Sequence, residues 1–206
     1  IMPPDTGFDG NLAEFIDEND LQVIASELRQ SFEDDKSSRQ QWEETYTKGL
    51  DLLGLNYSER SQPFQGASGV THPLLAESVT QFQAQAYKEL LPASGPVRTQ
   101  IIGQATKDKE DQAQRVSDFM NYQIMHVMEE YDPELDQMLF YLPLAGSTFK
   151  KIYYDASLGR AVSKFIPAED LIVPYTATNL EECERVTHVL KRTDNDIKKM
   201  QVTGFY

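Results

Sequence analysis

The apolar positions of this chain change period once. Through the first two thirds they recur every three or four residues, the spacing of helices that bury one face. Leu21, Ile24, Leu28 and Phe32 predict a helix from Asp20, and the acidic run Glu33-Asp34-Asp35 predicts its break or bend. Trp42, Tyr46, Leu50 and Leu53 form the stripe of a second helix, which Gly54 stops. A third, over about 73–91, buries Leu75, Val79, Phe82, Ala86 and Leu90, with Thr71 and Pro73 as start residues. Pro92 to Pro96 ends it, and Val97 to Ile102 reads as a short strand. Thr106 caps one long helix to about Tyr131, with Val116, Met120, Ile124, Val127 and Tyr131 as its stripe, widened by Phe119 and Met128. Asp132-Pro133-Glu134 starts the next, which carries Leu135, Leu139 and Leu142 and is kinked or ended by Pro143.

From Thr148 the pattern becomes that of strands. Phe149 to Tyr154 and Arg160 to Ile166 flank Asp155-Ala156-Ser157-Leu158-Gly159, a hairpin loop. Leu171 to Val173 and Arg185 to Lys191 are further strands, and a last helix runs from Asp194 or Asn195 to about Val202, stopped by Gly204. Helices first and a small antiparallel sheet later make the class α+β. Residues 1–19 are rich in Pro, Gly and Asp and read as an extended arm, so 1–35 is expected to hold the arm and first helix, and 36–206 the main domain. The chain opens at Ile1 rather than Met and reads as a segment of a longer protein.

Charge narrows the partners. Among 206 residues, 19 Lys and Arg against 33 Asp and Glu leave a net −14. No basic run exceeds two residues, so the clustered cations that bind DNA by counterion release are missing. An acidic soluble surface is the plain reading, and a wall that DNA passes without sticking is the sharper one. Cys183 is the single cysteine, so there is no disulfide framework within the chain. No apolar run approaches the roughly 18 residues of a membrane span.

Candidate chemistry is thin. His72, His126 and His188 are scattered, Cys183 lacks a Cys partner for zinc, and a Cys183–His188 nucleophilic pair has no defined geometry. His188 alternates with Val186 and Leu190, which places it on the apolar face of a strand. Gly66-Ala67-Ser68-Gly69 precedes a helix but lacks the Lys-Ser/Thr ending of a phosphate loop. Met120, Met125, Met128 and Met138 read as a malleable helix–helix core. Asp155, Lys164 and Glu169 could be stretched into a metal-dependent nuclease site, although the acids elsewhere are explained by helix dipoles and solvated loops. No catalytic, cofactor or metal residue is assigned.

Several stretches, in order, resemble one group. They are Gln41-Trp42-Glu43-Glu44-Thr45-Tyr46; Arg60-Ser61-Gln62-Pro63-Phe64 with Gly69-Val70-Thr71-His72-Pro73; Gln81 to Leu90; and Gly95-Pro96-Val97-Arg98-Thr99. Asp118 to Tyr122, Tyr131 to Asp136 and Leu142 to Ser147 follow, then Phe165-Ile166-Pro167-Ala168-Glu169-Asp170-Leu171-Ile172-Val173-Pro174-Tyr175 with Arg185-Val186-Thr187-His188. Together they resemble the wing of the portal (head–tail connector) proteins of short-tailed, podovirus-like phages.

The resemblance implies a homo-oligomeric ring, commonly a dodecamer, at one capsid vertex of the virion, made in the host cytoplasm. It implies the major capsid protein, the terminase large subunit and tail adaptors as partners, double-stranded DNA passing through the channel, and no catalysis by the portal itself. Stem, clip and channel-lining parts would lie outside this segment. Trp42, Arg60, Phe64, His72, Glu169, Asp170 and Tyr175 are the expected subunit or partner contacts, because they place aromatic or charged groups on a packing stripe or on irregular segments between rigid elements. A nuclease or other DNA-processing enzyme, and a non-enzymatic tail or adaptor interaction module, are the alternatives.

Overall fold

The computed structural model describes residues 16–54, 64–67, 72–156 and 158–204. Residues 1–15 of the arm, most of the 56–72 loop with Arg60, and the Thr71 cap therefore lie outside the described residues, and α1 begins at Glu18, inside the stretch read as arm. The element order is α1 (Glu18–Ser38), α2 (Gln40–Leu53), α3 (Leu74–Leu90), α4 (Lys107–Tyr122), a π-helical turn (Gln123–Val127), α5 (Tyr131–Ala145), β1 (Phe149–Asp155), β2 (Arg160–Ile166), β3 (Leu171–Ile172), β4 (Thr187–His188) and α6 (Asp194–Val202). β1 pairs with β2, and β3 with β4, in two separate two-stranded sheets. The class is α+β.

The chain divides into two compact units, one of Glu43–Leu171 and one of the described residues up to Trp42 together with those from Ile172 onward. In the Glu43–Leu171 unit, α5 packs on α3 along one side and on β2 along the other. Leu91, Leu135 and Leu139 form a buried cluster, filled out by Ala86, Tyr87, Tyr131 and Met138. Val162, Ile166 and Ala168 are buried at the hairpin's end of the unit. β1 and β2 pair antiparallel from Phe149 opposite Ile166 to Asp155 opposite Arg160. Gly159 turns the loop with φ 64°, a left-handed conformation that glycine adopts without penalty.

Several expectations are corrected here. The acidic run does not break α1, which continues to Ser38 before the chain turns at Arg39. Two of its acids have partners: Gln30 donates to Asp34 at 3.0 Å, and Asp35 is buried against Arg185. The long helix expected to reach Tyr131 stops at Tyr122, loosens into the π-helical turn, and restarts at Tyr131, with Pro133 in the new first turn. Pro143 does not end α5; it sits in the last turn, and the helix closes at Gly146 with φ 81°. Pro143 forfeits the amide bond that would run to the Leu139 carbonyl, and the helix goes only two residues further.

Val97 to Ile102 forms no strand. The side chain of Asn121 instead brackets Val97, accepting from its amide at 2.9 Å and donating to its carbonyl at 3.1 Å, and Ser117 donates to the same carbonyl. The expected strand over Arg185 to Lys191 shortens to Thr187–His188, and Val186 and Leu190 stay exposed around the half-buried His188. The expected cores also thin out. Phe82, Leu90, Val116, Phe119, Met120 and Met125 are exposed, so Met138 is the methionine that packs on the buried cluster.

Candidate functional site

Two polar constellations stand out, one in each unit. The first begins with the geometry of an antiparallel hairpin, in which alternate residues turn their backbone groups out of the ladder. On β2 those outward amides belong to Ser163 and Phe165. Two carboxylates one helical turn apart at the start of α5 meet them: Glu130 accepts from the Ser163 amide at 3.2 Å, and Glu134 accepts from the Phe165 amide at 2.7 Å. Residues four apart on a helix share a face, so the spacing matches alternate residues of a strand running alongside. Arg160 completes the arrangement with an ion pair to Glu130 at 2.8 Å.

Partial burial works against ionisation of Glu130. It is outweighed by hydrogen bonds from its own amide, from Arg160 and from the Ser163 amide, so the carboxyl is held below its ordinary value. Lys150 lies on the neighbouring strand with its Nζ 3.5 Å from the centre of the Tyr131 ring, and burial lowers its pKa against the opposing pull of Glu134.

Beside this plate lies an open groove of about 350 Å³, lined by Tyr46, Glu134, Tyr141, Phe165 and Glu169 among others. Tyr141 stacks on Phe165 with ring centres 5.8 Å apart. Burial, then the charge of Glu169, then Tyr141, push the Tyr46 hydroxyl up to about 12. The groove combines aromatic faces with two carboxylates, a surface suited to a cationic side chain.

The other unit holds the second constellation. Arg185 reaches back to Asp35 with Nε 3.2 Å from Oδ2 and Nη2 3.1 Å from Oδ1. Its side chain also lies 3.4 Å from Glu184. The guanidinium is held above its ordinary pKa chiefly by the hydrogen bond to Asp35. Ser38 donates to the Asp35 carbonyl at 2.6 Å and accepts from the Tyr175 amide at 3.2 Å. The Cys183 thiol donates to the Arg185 carbonyl at 2.8 Å.

The residues expected as contacts distribute as follows. Trp42 is half-buried, with the Arg39 guanidinium 5.1 Å above its ring. Phe64, His72 and Tyr175 are exposed, and Arg60 lies outside the described residues. Glu169 lines the groove, and the Asp170 amide closes a turn onto the Pro167 carbonyl at 3.0 Å. The Glu169–Tyr175 corner is shared out between the two units, with Glu169 and Asp170 in one and Tyr175 in the other. Asp155 and Lys164 are kept apart along the hairpin: Asp155 pairs with Arg160 and Lys164 with Lys151, about 13 Å of strand away. Among the described residues no group of three or more His, Cys, Asp or Glu side chains is placed to hold a metal ion, and no helix is long and apolar enough to cross a membrane.

Sequence reasoning missed Glu130, Glu134, Arg160, Asp35 and Arg185 as a structural set. One signal was present: Glu130 and Glu134 stand four apart at the start of the helix that precedes the hairpin, and the hairpin carries a cation at Arg160. No family model matches the chain, and no curated protein matches it.

Proposed function

We propose that this chain is the wing segment of a ring-forming phage portal subunit, a structural conduit rather than a catalyst. The observation that carries the reading is the set of ordered apolar stripes that the fold leaves exposed. On α4, Val116, Phe119 and Met120 share one exposed face; on α1, Val23, Ile24 and Leu28 do the same; and on β1, Ile152 and Tyr154 stand out from one side. Stripes at helix and strand spacing are built to pack. A subunit of a closed ring needs two different surfaces, one for each neighbour, and separate apolar faces on separate elements meet that need.

The ordered motifs of the portal group support the same reading, and the net charge of −14 suits a body that DNA passes without adhering. The partners proposed with it are further copies in a dodecameric ring, the major capsid protein, the terminase large subunit and tail adaptors at the virion's portal vertex. Negative-stain microscopy with light scattering on the full-length chain tests the proposal. Annular particles with a central hole are expected; a uniform monomer at all concentrations overturns the reading. Magnesium-dependent cleavage of DNA by the same sample would replace it with a nuclease.

A further inference from the structure

The hairpin has two edges, and only one is closed. Ser163 and Phe165 turn their amides out of β2 and are met by Glu130 and Glu134. Their cross-strand partners are Ile152 and Lys150. Residues opposite one another in an antiparallel ladder share the same phase, so Ile152 and Lys150 also turn their backbone groups outward, on the far side of β1. No hydrogen bond from another described residue reaches the Ile152 backbone there. An open strand edge is a template for a further strand, and proteins usually blunt it with charge, proline or a cover. Lys150, the residue placed to blunt it, is folded away onto the Tyr131 ring. Lys151, the other lysine of β1, is exposed but alternates to the opposite face and lies over the Tyr153 ring. On the Lys150 face the exposed residues are apolar: Ile152 is 67% exposed and Tyr154 69%.

The same unit carries a segment that suits the vacancy. Residues 97–102, Val-Arg-Thr-Gln-Ile-Ile, hold four β-branched side chains in six, bounded by Pro96 and by Gly103 at φ 94°. Among the described residues it joins no ladder. Val97 is fixed by Asn121, but among the described residues the backbone of 98–102 makes no hydrogen bond, and Ile102 is 94% exposed. Six residues extend about 20 Å, enough to run along most of the seven-residue β1.

We propose that residues 97–102 of one copy add as a strand to the free edge of β1 in a second copy of this chain. Main-chain hydrogen bonds would hold the segment, with Ile152 and Tyr154 packing against its alternate side chains. The donor segment and the accepting edge are different places on one chain, so the contact runs head to tail, and closed repetition of it makes a ring. The inference rests on the ring-forming reading and adds to it the contact that joins neighbours.

Disulfide trapping in the full-length chain tests it. In a Cys183→Ser background, Ile152→Cys is combined in turn with cysteine at each of positions 98–102, and particles are oxidised and run without reductant. Val202→Cys with Ile152→Cys serves as the control, since Val202 is exposed and lies outside both segments. The expected result is a ladder of linked multimers that peaks at one position of the scan, because one fixed cysteine can bond only the residue opposite it in a single register, and none from the control. Rings in the microscope with no ladder at any position overturn the strand exchange and leave the ring standing. A ladder from open filaments supports the exchange and overturns the closed ring. Monomers without a ladder overturn both. Ile152→Pro gives a second reading, because it deletes an outward amide without removing a hairpin hydrogen bond. A tenfold or greater rise in the concentration needed for assembly is expected, and unchanged assembly by a folded variant overturns the exchange.

Discussion

Asp35 and Arg185 stand 150 positions apart and meet as a two-pronged ion pair, with Asp35 only 5% exposed. The contact ties the end of α1 to the loop that leads into β4. Removing one partner of such a pair strands the other, which costs more than the pair itself contributes. Arg185→Ala is therefore expected to lower the melting temperature by more than Arg185→Ala in an Asp35→Ala background. Additive effects in that double-mutant cycle would show that the two do not act as a unit.

The strand-edge carboxylates make a second prediction. Glu134→Ala leaves the Phe165 amide without its acceptor in a partly buried setting, at a cost of about 1–3 kcal/mol. Hydrogen exchange should quicken at Phe165 first, with Ser163 still held by Glu130. Equal acceleration along all of β2 would point to general unfolding instead.

Glu130 should add a pH dependence. Its folded pKa lies below the ordinary 4.5, so the unfolded chain binds its proton first as pH falls. Its contribution is complete above about pH 4.5 and is lost as pH drops through the lower folded value. Thermal unfolding of the parent chain and Glu130→Gln should differ near neutrality and converge in acid. A gap that stays constant down to the acid end would contradict this.

Tyr46 behaves in the opposite sense. Its hydroxyl is raised from 10.0 to about 12, so the folded state favours the neutral phenol. That stability is fully present below pH 10 and is lost as pH rises toward about 12. The Tyr87 hydroxyl, which donates to Asp132, is likewise held up to about 12. Phenolate absorbance followed against pH should therefore lose one of two late-titrating phenols in Tyr46→Phe and both in Tyr46→Phe with Tyr87→Phe. An unchanged late component would place the shift elsewhere.

Packing supplies the last pair. Leu139 is 2% exposed at the centre of the α3–α5 cluster, and Leu139→Ala is expected to cost about 2–5 kcal/mol in denaturant unfolding. Gly95 has φ 92°, and an added Cβ would lie 2.4 Å from the Asn121 side chain. Gly95→Ala should therefore cost roughly 1–2 kcal/mol in backbone strain and also loosen the bracket on Val97. A neutral Gly95→Ala would contradict both the left-handed strain and the clash with Asn121.

How far could the sequence be read? Local signals carried most of the elements. The stripe from Trp42 to Leu53 with Gly54, the Thr106 cap, the loop from Asp155 to Gly159 and the α6 start all depend on neighbours within a few positions, and the structure has each of them. The α+β class follows from their order alone. What failed needed a partner far along the chain. The run Glu33-Asp34-Asp35 looked like a helix breaker until Arg185 supplied its counter-charge. Val97 to Ile102 has the composition of a strand, but a strand exists only where another backbone runs beside it, and here Asn121 holds Val97 instead. Glu134 was legible as an acid at a helix start, where the dipole alone accounts for it, and Glu130 only as one of an acidic pair near a helix end; the folded hairpin gave their oxygens the amides of Ser163 and Phe165. Spacing along the chain determines which faces can form. Which of those faces is covered, and by what, was decided by long-range pairing that no local pattern encodes.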